Sequence, residues 1–189
     1  MLDQSLQQQL LAIAEASIRH GLDYGQPLSL DPAGFPEELQ KPGASFVTLH
    51  SRGELRGCIG ALQPHRPLAE DVAENAYAAA FRDRRFLPLR QEELGGLEIH
   101  IAILTPAEPM HFHSETDLLQ QLRPGEDGLI LEEGFYRGTF LPSVWEQLPT
   151  PELFLSHLKQ KAGLPADYWS DTIKISRYTT FSFGTTVEG

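Results

Sequence analysis

The single cysteine of this chain stands in the run Leu55-Arg56-Gly57-Cys58-Ile59-Gly60. A thiol attacks as its thiolate, and a nearby guanidinium favours that form. Side chains on a strand alternate between faces. If the run is extended, Arg56 and Cys58 share one face, and Leu55, Gly57 and Ile59 share the other. Cys58 is therefore a candidate nucleophile, or a carrier of an acyl or alkyl group. His50 and His65 are the nearest imidazoles in sequence that could act as its base. The same residue also fits a packing role, because a free cysteine is commonly a small buried hydrophobe. Gly57 and Gly60 either leave room for a ligand or a second backbone, or mark a bulge.

A second group of residues could bind an anion. Arg56, Asp83, Arg85 and Arg137 are candidates for a charged pocket, since guanidinium forks grip carboxylate and phosphate. The alternative is that Asp83 pairs with an arginine and ties a helix end to a sheet. His111-Phe112-His113, followed by Glu115, would place two imidazoles on one face if extended. A complete metal site needs three or four ligands, and the sequence marks no such set. No phosphate-binding glycine loop, serine nucleophile elbow or cysteine cluster is present, so no cofactor is assigned.

These residues need elements to position them. Ser45–His50 is a β-rich run, Ser51-Arg52-Gly53-Glu54 a turn, and the cysteine run its return strand, giving a hairpin over 45–61. Before it, apolar residues from Leu6 to Ile18 recur at helical spacing, and Gly21 is the expected stop. Residues 22–44 hold several prolines and glycines and read as an ordered loop. After the hairpin, Pro64 and Pro67 mark entry to a helix with Glu70 and Asp71 in its first turn and a small-residue, alanine-rich face. Arg82, Arg84 and Arg85 fall at or beyond its end. A short helix around Gln91–Leu94 leads to Leu97–Ile103, which alternates as a strand with one apolar face.

The second half follows the same order loosely. A helical stretch over 117–122 precedes a hairpin, Leu129–Leu131 and Phe135–Leu141, turning at Glu133-Gly134. A short helix at 142–148 comes next. Another, capped by Thr150 with Pro151 at its first position, ends at Gly163. Ile173 and Ile175 lie on a strand, and Tyr178–Val187 is a further extended run. Trp145, Trp169, Tyr168 and Tyr178 are expected to fill the core. Gly53-Glu54-Leu55-Arg56-Gly57-Cys58 overlays Gly134-Phe135-Tyr136-Arg137-Gly138-Thr139 at equal offsets. This suggests a degenerate internal repeat, with lobes near 45–103 and 126–177 and residues 1–44 packed on them. In the repeat, Thr139 takes the place of the thiol, and Arg56 and Arg137 would face a shared cleft.

Composition bounds the function classes. The chain has 189 residues and a formal net charge of −11. Such acidity opposes nucleic-acid binding, and three clustered arginines do not offset it. One cysteine excludes an intramolecular disulfide and fits a reducing cytoplasm. The N-terminus reads as an amphipathic helix rather than a signal peptide, and no apolar run approaches the ~20 residues of a membrane span.

Together these motifs resemble the AMMECR domain family, named for a human chromosomal region linked to Alport syndrome, midface hypoplasia and elliptocytosis. Leu55–Gly60 matches the family's hallmark hexapeptide. The resemblance continues through Pro67–Val72, Ala79–Asp83, Arg85–Leu89, Glu92–Leu94, Gly128–Leu131, Arg137–Pro142, Val144-Trp145 and Lys161–Pro165. It departs at Arg84 and Leu87, where the family favours proline. The resemblance implies a two-lobed α+β domain spanning 1–189, with largely antiparallel sheets, helices packed on them and a cleft near the hexapeptide. It also implies membership of the AmmeMemoRadiSam gene set. The companions there are a Memo-like protein related to extradiol dioxygenases and a radical S-adenosylmethionine enzyme. On that basis the chain is expected to be a substrate-binding or partner module. The alternative is an enzyme using Cys58 on a small anionic metabolite between the lobes.

Overall fold

The structure is a computed structural model and describes residues 2–189. The chain divides into two compact units. The first runs to Leu104 and takes back Phe181–Gly189; the second is Thr105–Thr180. Both are α+β, and each carries one four-stranded antiparallel sheet. No helix among the described residues is long and apolar enough to cross a membrane.

In the first unit, α1 (Gln4–Tyr24) starts where the Asp3 carboxylate accepts the Leu6 N–H at 2.9 Å. It buries Leu6, Leu10, Ile13, Ala14, Ser17 and Ile18 on one face. It does not stop at Gly21. It runs on to Tyr24 and ends at Gly25, whose φ of 69° provides the left-handed cap. Gly21 is instead a point of close helix approach. A Cβ there would lie 2.3 Å from Phe81 Cε2 and 2.8 Å from Tyr77 Cδ2 of α3. The expected loop also holds a little regular structure, a 3₁₀ turn at Pro32–Gly34 and α2 (Glu37–Gln40).

The hairpin joins β1 (Ala44–Ser51) to β2 (Glu54–Gly60). Its turn residues Arg52 and Gly53 have φ of 55° and 80°, the paired left-handed conformation that matches strand twist in two-residue hairpins. α3 (Leu68–Phe81) follows, and β3 (Glu98–Leu104) pairs antiparallel with β1. With β8 (Thr180–Thr186) the strand order is β2-β1-β3-β8. Val47, Leu49, Ile99 and Ile101 are fully buried on the sheet face that packs with α1 and α3. The small residues Ala69, Ala73, Ala76, Ala79 and Ala80 bring α3 close to the strands. A buried polar tie reinforces this contact. The Asp71 carboxylate accepts from the Ser45 N–H and hydroxyl, from Asn75 Nδ2 and from Arg66 Nε, at 2.7–3.0 Å.

The second unit holds β4 (Glu108–Pro109), α4 (Glu115–Gln121), β5 (Gly128–Glu133), β6 (Tyr136–Phe140), α5 (Pro151–Ala162) and β7 (Lys174–Tyr178). Its strand order is β4-β7-β5-β6. Ser114 and Thr150 cap α4 and α5, and Gly163 closes α5 at φ 97°. Trp145 stacks on Phe154 with centroids 3.9 Å apart, and its indole N–H donates to Asp127 O at 2.8 Å. Trp169 and Tyr168 pack against the same core, and the Tyr178 hydroxyl donates to Phe140 O at 3.0 Å. Tyr178–Val187, read as one extended run, is two strands in different sheets. Tyr178 closes β7, and β8 begins at Thr180.

Candidate functional site

The β1–β2 register decides what surrounds the hexapeptide. Thr48 stands opposite Cys58, Leu49 opposite Gly57, and His50 opposite Leu55. The register slips between Leu49 and His50, so Arg56 is the extra residue of a bulge. Gly57 points into the core side. A Cβ there would sit 2.0 Å from Ala79 O of α3, so its room is taken by another backbone. At Gly60 a Cβ would meet Phe46 Cγ at 2.4 Å and Ser45 O at 2.5 Å. Both glycines are thus filled against by the protein itself.

Cys58 projects to the opposite face and is half-buried. Its Sγ accepts a hydrogen bond from Thr48 Oγ1 at 3.2 Å. Because β2 is the sheet edge, the Cys58 N–H is free of the ladder and donates instead to Asp83 Oδ2 at 3.0 Å. Asp83 is buried just beyond α3 and is held there by Arg85, whose Nε and Nη2 donate to its two oxygens at 3.0 and 2.7 Å. These bonds hold the Asp83 carboxyl well below the ordinary carboxylate range. The Arg85 side-chain hydrogen bonds contribute most, and burial opposes them. Arg85 in turn is raised above its usual value, first by Asp83 and in smaller part by the charge of Cys58.

The guanidinium tied to the Cys58 segment is therefore Arg85, which reaches it through Asp83 at the strand edge. Arg56, expected beside Cys58, turns to Glu93. Its Nε and Nη2 donate to the carboxylate at 2.9 and 3.2 Å, and Nη2 also donates to Leu87 O at 2.8 Å. This pairing, opposed by partial burial, lowers the Glu93 carboxyl. Among the described residues Arg56 Nη1 is buried and has no partner. Arg56 and Glu93, with Arg52, Glu54, Arg90 and Glu98, line a groove of about 590 Å³ of mixed charge.

The other candidates fall elsewhere. His65 is exposed and its Nδ1 lies 3.2 Å from Gln63 O. In the second unit Arg137 makes a loose surface pair with Glu132 at 3.5 Å. Thr139 Oγ1 donates to Leu129 O at 2.8 Å and lies 3.3 Å from the Tyr178 hydroxyl. Burial raises that phenol above its usual value. His111 and His113 are both exposed.

One grouping escaped sequence reasoning. His50 on β1 stands directly opposite Glu98 on β3, and His100 lies two residues along β3 on the same face. One ligand atom from each of the three lies within 4.8 Å of the others. The Glu98-x-His100 spacing was legible as two residues on one strand face. His50 joins it only through the β1–β3 register.

Comparison with known proteins fits this architecture. A crystal structure of an uncharacterized protein from Pyrococcus horikoshii matches with a TM-score of 0.81 and 34% identity, over 93% of this chain and 89% of that one. A protein of Methanocaldococcus jannaschii is 41% identical over 152 residues, 76% of this chain and 74% of its own. One from Thermotoga maritima is 41% identical over 165 residues, 86% of this chain and 89% of its own. The AMMECR1 family model matches residues 11–183, and the chain belongs to the AMMECR1 family.

Proposed function

We propose that this chain is a substrate-binding or partner module that works with a Memo-like protein and a radical S-adenosylmethionine enzyme. One observation carries the reading: the polar groups of the hexapeptide are largely spent within the protein. Arg56 is tied to Glu93 and Leu87, the Cys58 N–H to Asp83, and Asp83 to Arg85. Such pairings rigidify a surface, and a base hydrogen-bonded to the thiol is not among them. The decisive experiment is co-purification with each companion from the same genome at micromolar concentration. A stable complex with either is expected, and failure to bind both overturns the reading.

A second reading is favoured by Arg85. Cys58 is only half-buried, and Arg85, joined to the Cys58 N–H through Asp83, keeps 56% of its side chain exposed. That is a setting for a nucleophile acting on a small anionic metabolite. Iodoacetate and iodoacetamide separate the two readings. Nucleophile chemistry on an anion predicts that Cys58 favours the anionic reagent relative to free cysteine, and that Arg85→Gln removes the preference. A reagent ratio equal to that of free cysteine removes the nucleophile reading.

We also infer that the two units descend from a duplicated element. β2-β1-β3 and β6-β5-β7 run in the same order. Gly57 and Gly138 each abut a helix backbone, at Ala79 O and Ala162 N. Superposing 45–103 on 126–177 tests this: Arg56-Gly57 must fall on Arg137-Gly138, and any other alignment overturns it.

A further inference from the structure

We propose that His50, Glu98 and His100 bind a divalent transition-metal ion, with zinc the best match. The site goes beyond the module reading and is independent of Cys58 chemistry. All three residues lie in the first unit, on the sheet face opposite the α1–α3 core. Two imidazoles and one carboxylate form a donor set that zinc takes with a further position left for water.

The geometry is close to what such an ion needs. Metal–ligand bonds of about 2.0–2.1 Å in a tetrahedron put donor atoms roughly 3.3 Å apart. Glu98 Oε2 and His100 Nε2 are already at 3.7 Å, and the full set lies within 4.8 Å. Small rotations of exposed or half-buried side chains close the remainder. His50 and His100 meet edge to face with centroids 5.4 Å apart, so the rings converge.

Two further observations point to a ligand. Among the described residues His50 Nδ1 is buried and has no hydrogen-bond partner, although the large majority of buried side-chain polar atoms find one. Its ring therefore has bonding capacity that the protein leaves unused. On the neighbouring strand, Gly184 has no side chain where a Cβ would stand 2.6 Å from His100 Nδ1. That gap seats the His100 ring over β8 with its other nitrogen directed at Glu98. Cys58 lies on the same face, one strand over from His50 and diagonal to it, and two strands, roughly 10 Å at ordinary strand spacing, from His100; it is outside the group whose ligand atoms converge.

The test uses the full chain stripped with chelator and titrated with Zn²⁺ near neutral pH, read by calorimetry. One equivalent per chain is expected. His100→Gln and Glu98→Gln, both in accessible positions, should weaken binding by about tenfold or more while leaving the thermal unfolding of the metal-free protein unchanged. His50→Gln should do the same to affinity. Cys58→Ser and the double change at His111 and His113 should leave affinity as it was. Cobalt substitution adds a spectroscopic readout, visible absorption bands lost in His100→Gln. No saturable binding at about 100 µM zinc overturns the proposal. So does binding that survives loss of both His50 and His100.

Discussion

Replacing Gly57 by alanine asks whether the hexapeptide glycine serves packing or a ligand. The added Cβ would stand 2.0 Å from Ala79 O and 2.9 Å from the Ala79 carbonyl carbon. Ordinary contact begins near 3.4 Å, so the strand and helix must separate by about 1.4 Å. Neither partner is a flexible side-chain end. Ala79 lies in the last turn of α3, and Gly57 is paired in the ladder with Leu49, which is fully buried. Overpacking usually costs ~1–3 kcal/mol, and a clash of backbone with backbone belongs at or above the top of that range. For a chain this size ~3 kcal/mol lowers the melting temperature by roughly 6–12 °C. Urea unfolding followed by circular dichroism measures the loss. Gly134→Ala is the comparison, because a Cβ there meets nothing within 4 Å and only its φ of 59° is unfavourable, at a cost of about 1 kcal/mol. If Gly57→Ala costs less than Gly134→Ala, the close approach of β2 to α3 is not what Gly57 provides.

Asp83→Asn removes the charge that Arg85 and the Cys58 N–H stabilise. The folded carboxyl is depressed, so its contribution is fully present above the unfolded value of ~3.9 and disappears as pH falls through the lower folded value. The variant should lose ~1–2 kcal/mol between pH 5 and 8, the Arg85 share being discounted for its exposure, and the gap to the parent should shrink below pH 4. A gap constant down to pH 2 in denaturant titrations contradicts the pairing. Gly21→Ala sets two effects against each other. Alanine gains ~1 kcal/mol of helix propensity, while the Phe81 and Tyr77 rings must give way by roughly 1 Å at a cost of ~1–3 kcal/mol. Net destabilisation of about 1 kcal/mol is expected, and a rise in melting temperature means the rings move freely.

Features set by neighbours in the chain were legible in the sequence. The Arg52-Gly53 turn, the Thr150 and Gly163 caps of α5, the Pro67 start of α3 and the alternation of β3 all emerged where local chemistry places them. Gly21 misled because a helical glycine can end a helix or admit another, and only the arrival of Phe81 decides. The break between β7 and β8 was hidden for a similar reason. Tyr178–Val187 is locally extended throughout, and which sheet each part joins is a long-range choice. At the site, the one-residue slip beside His50 turned Arg56 toward Glu93 and left Arg85, from a loop 29 residues on, as the arginine joined to Cys58, by way of Asp83. Strand alternation is reliable only as far as the register is regular.

The hexapeptide therefore divides its work by direction rather than by residue order. Toward α3, Gly57 admits a helix backbone, which fixes how deeply β2 sits. Along the sheet edge, the Cys58 N–H engages Asp83, and this anchors the segment after α3 and brings Arg85 with it. Beyond the bulge, Arg56 fastens the Gln91–Glu93 turn through Glu93. Three of its directions are thus committed to holding separate elements against one strand. Only the outer face, where the Cys58 thiol meets Thr48, has a group with reactivity to spare. Thr48 is also the residue opposite His100 on the other side of β1. A single short row across three strands thus runs from the thiol to the imidazole pair. Any ligand recognised by this unit through both must lie across the outer face of the sheet, not in its core.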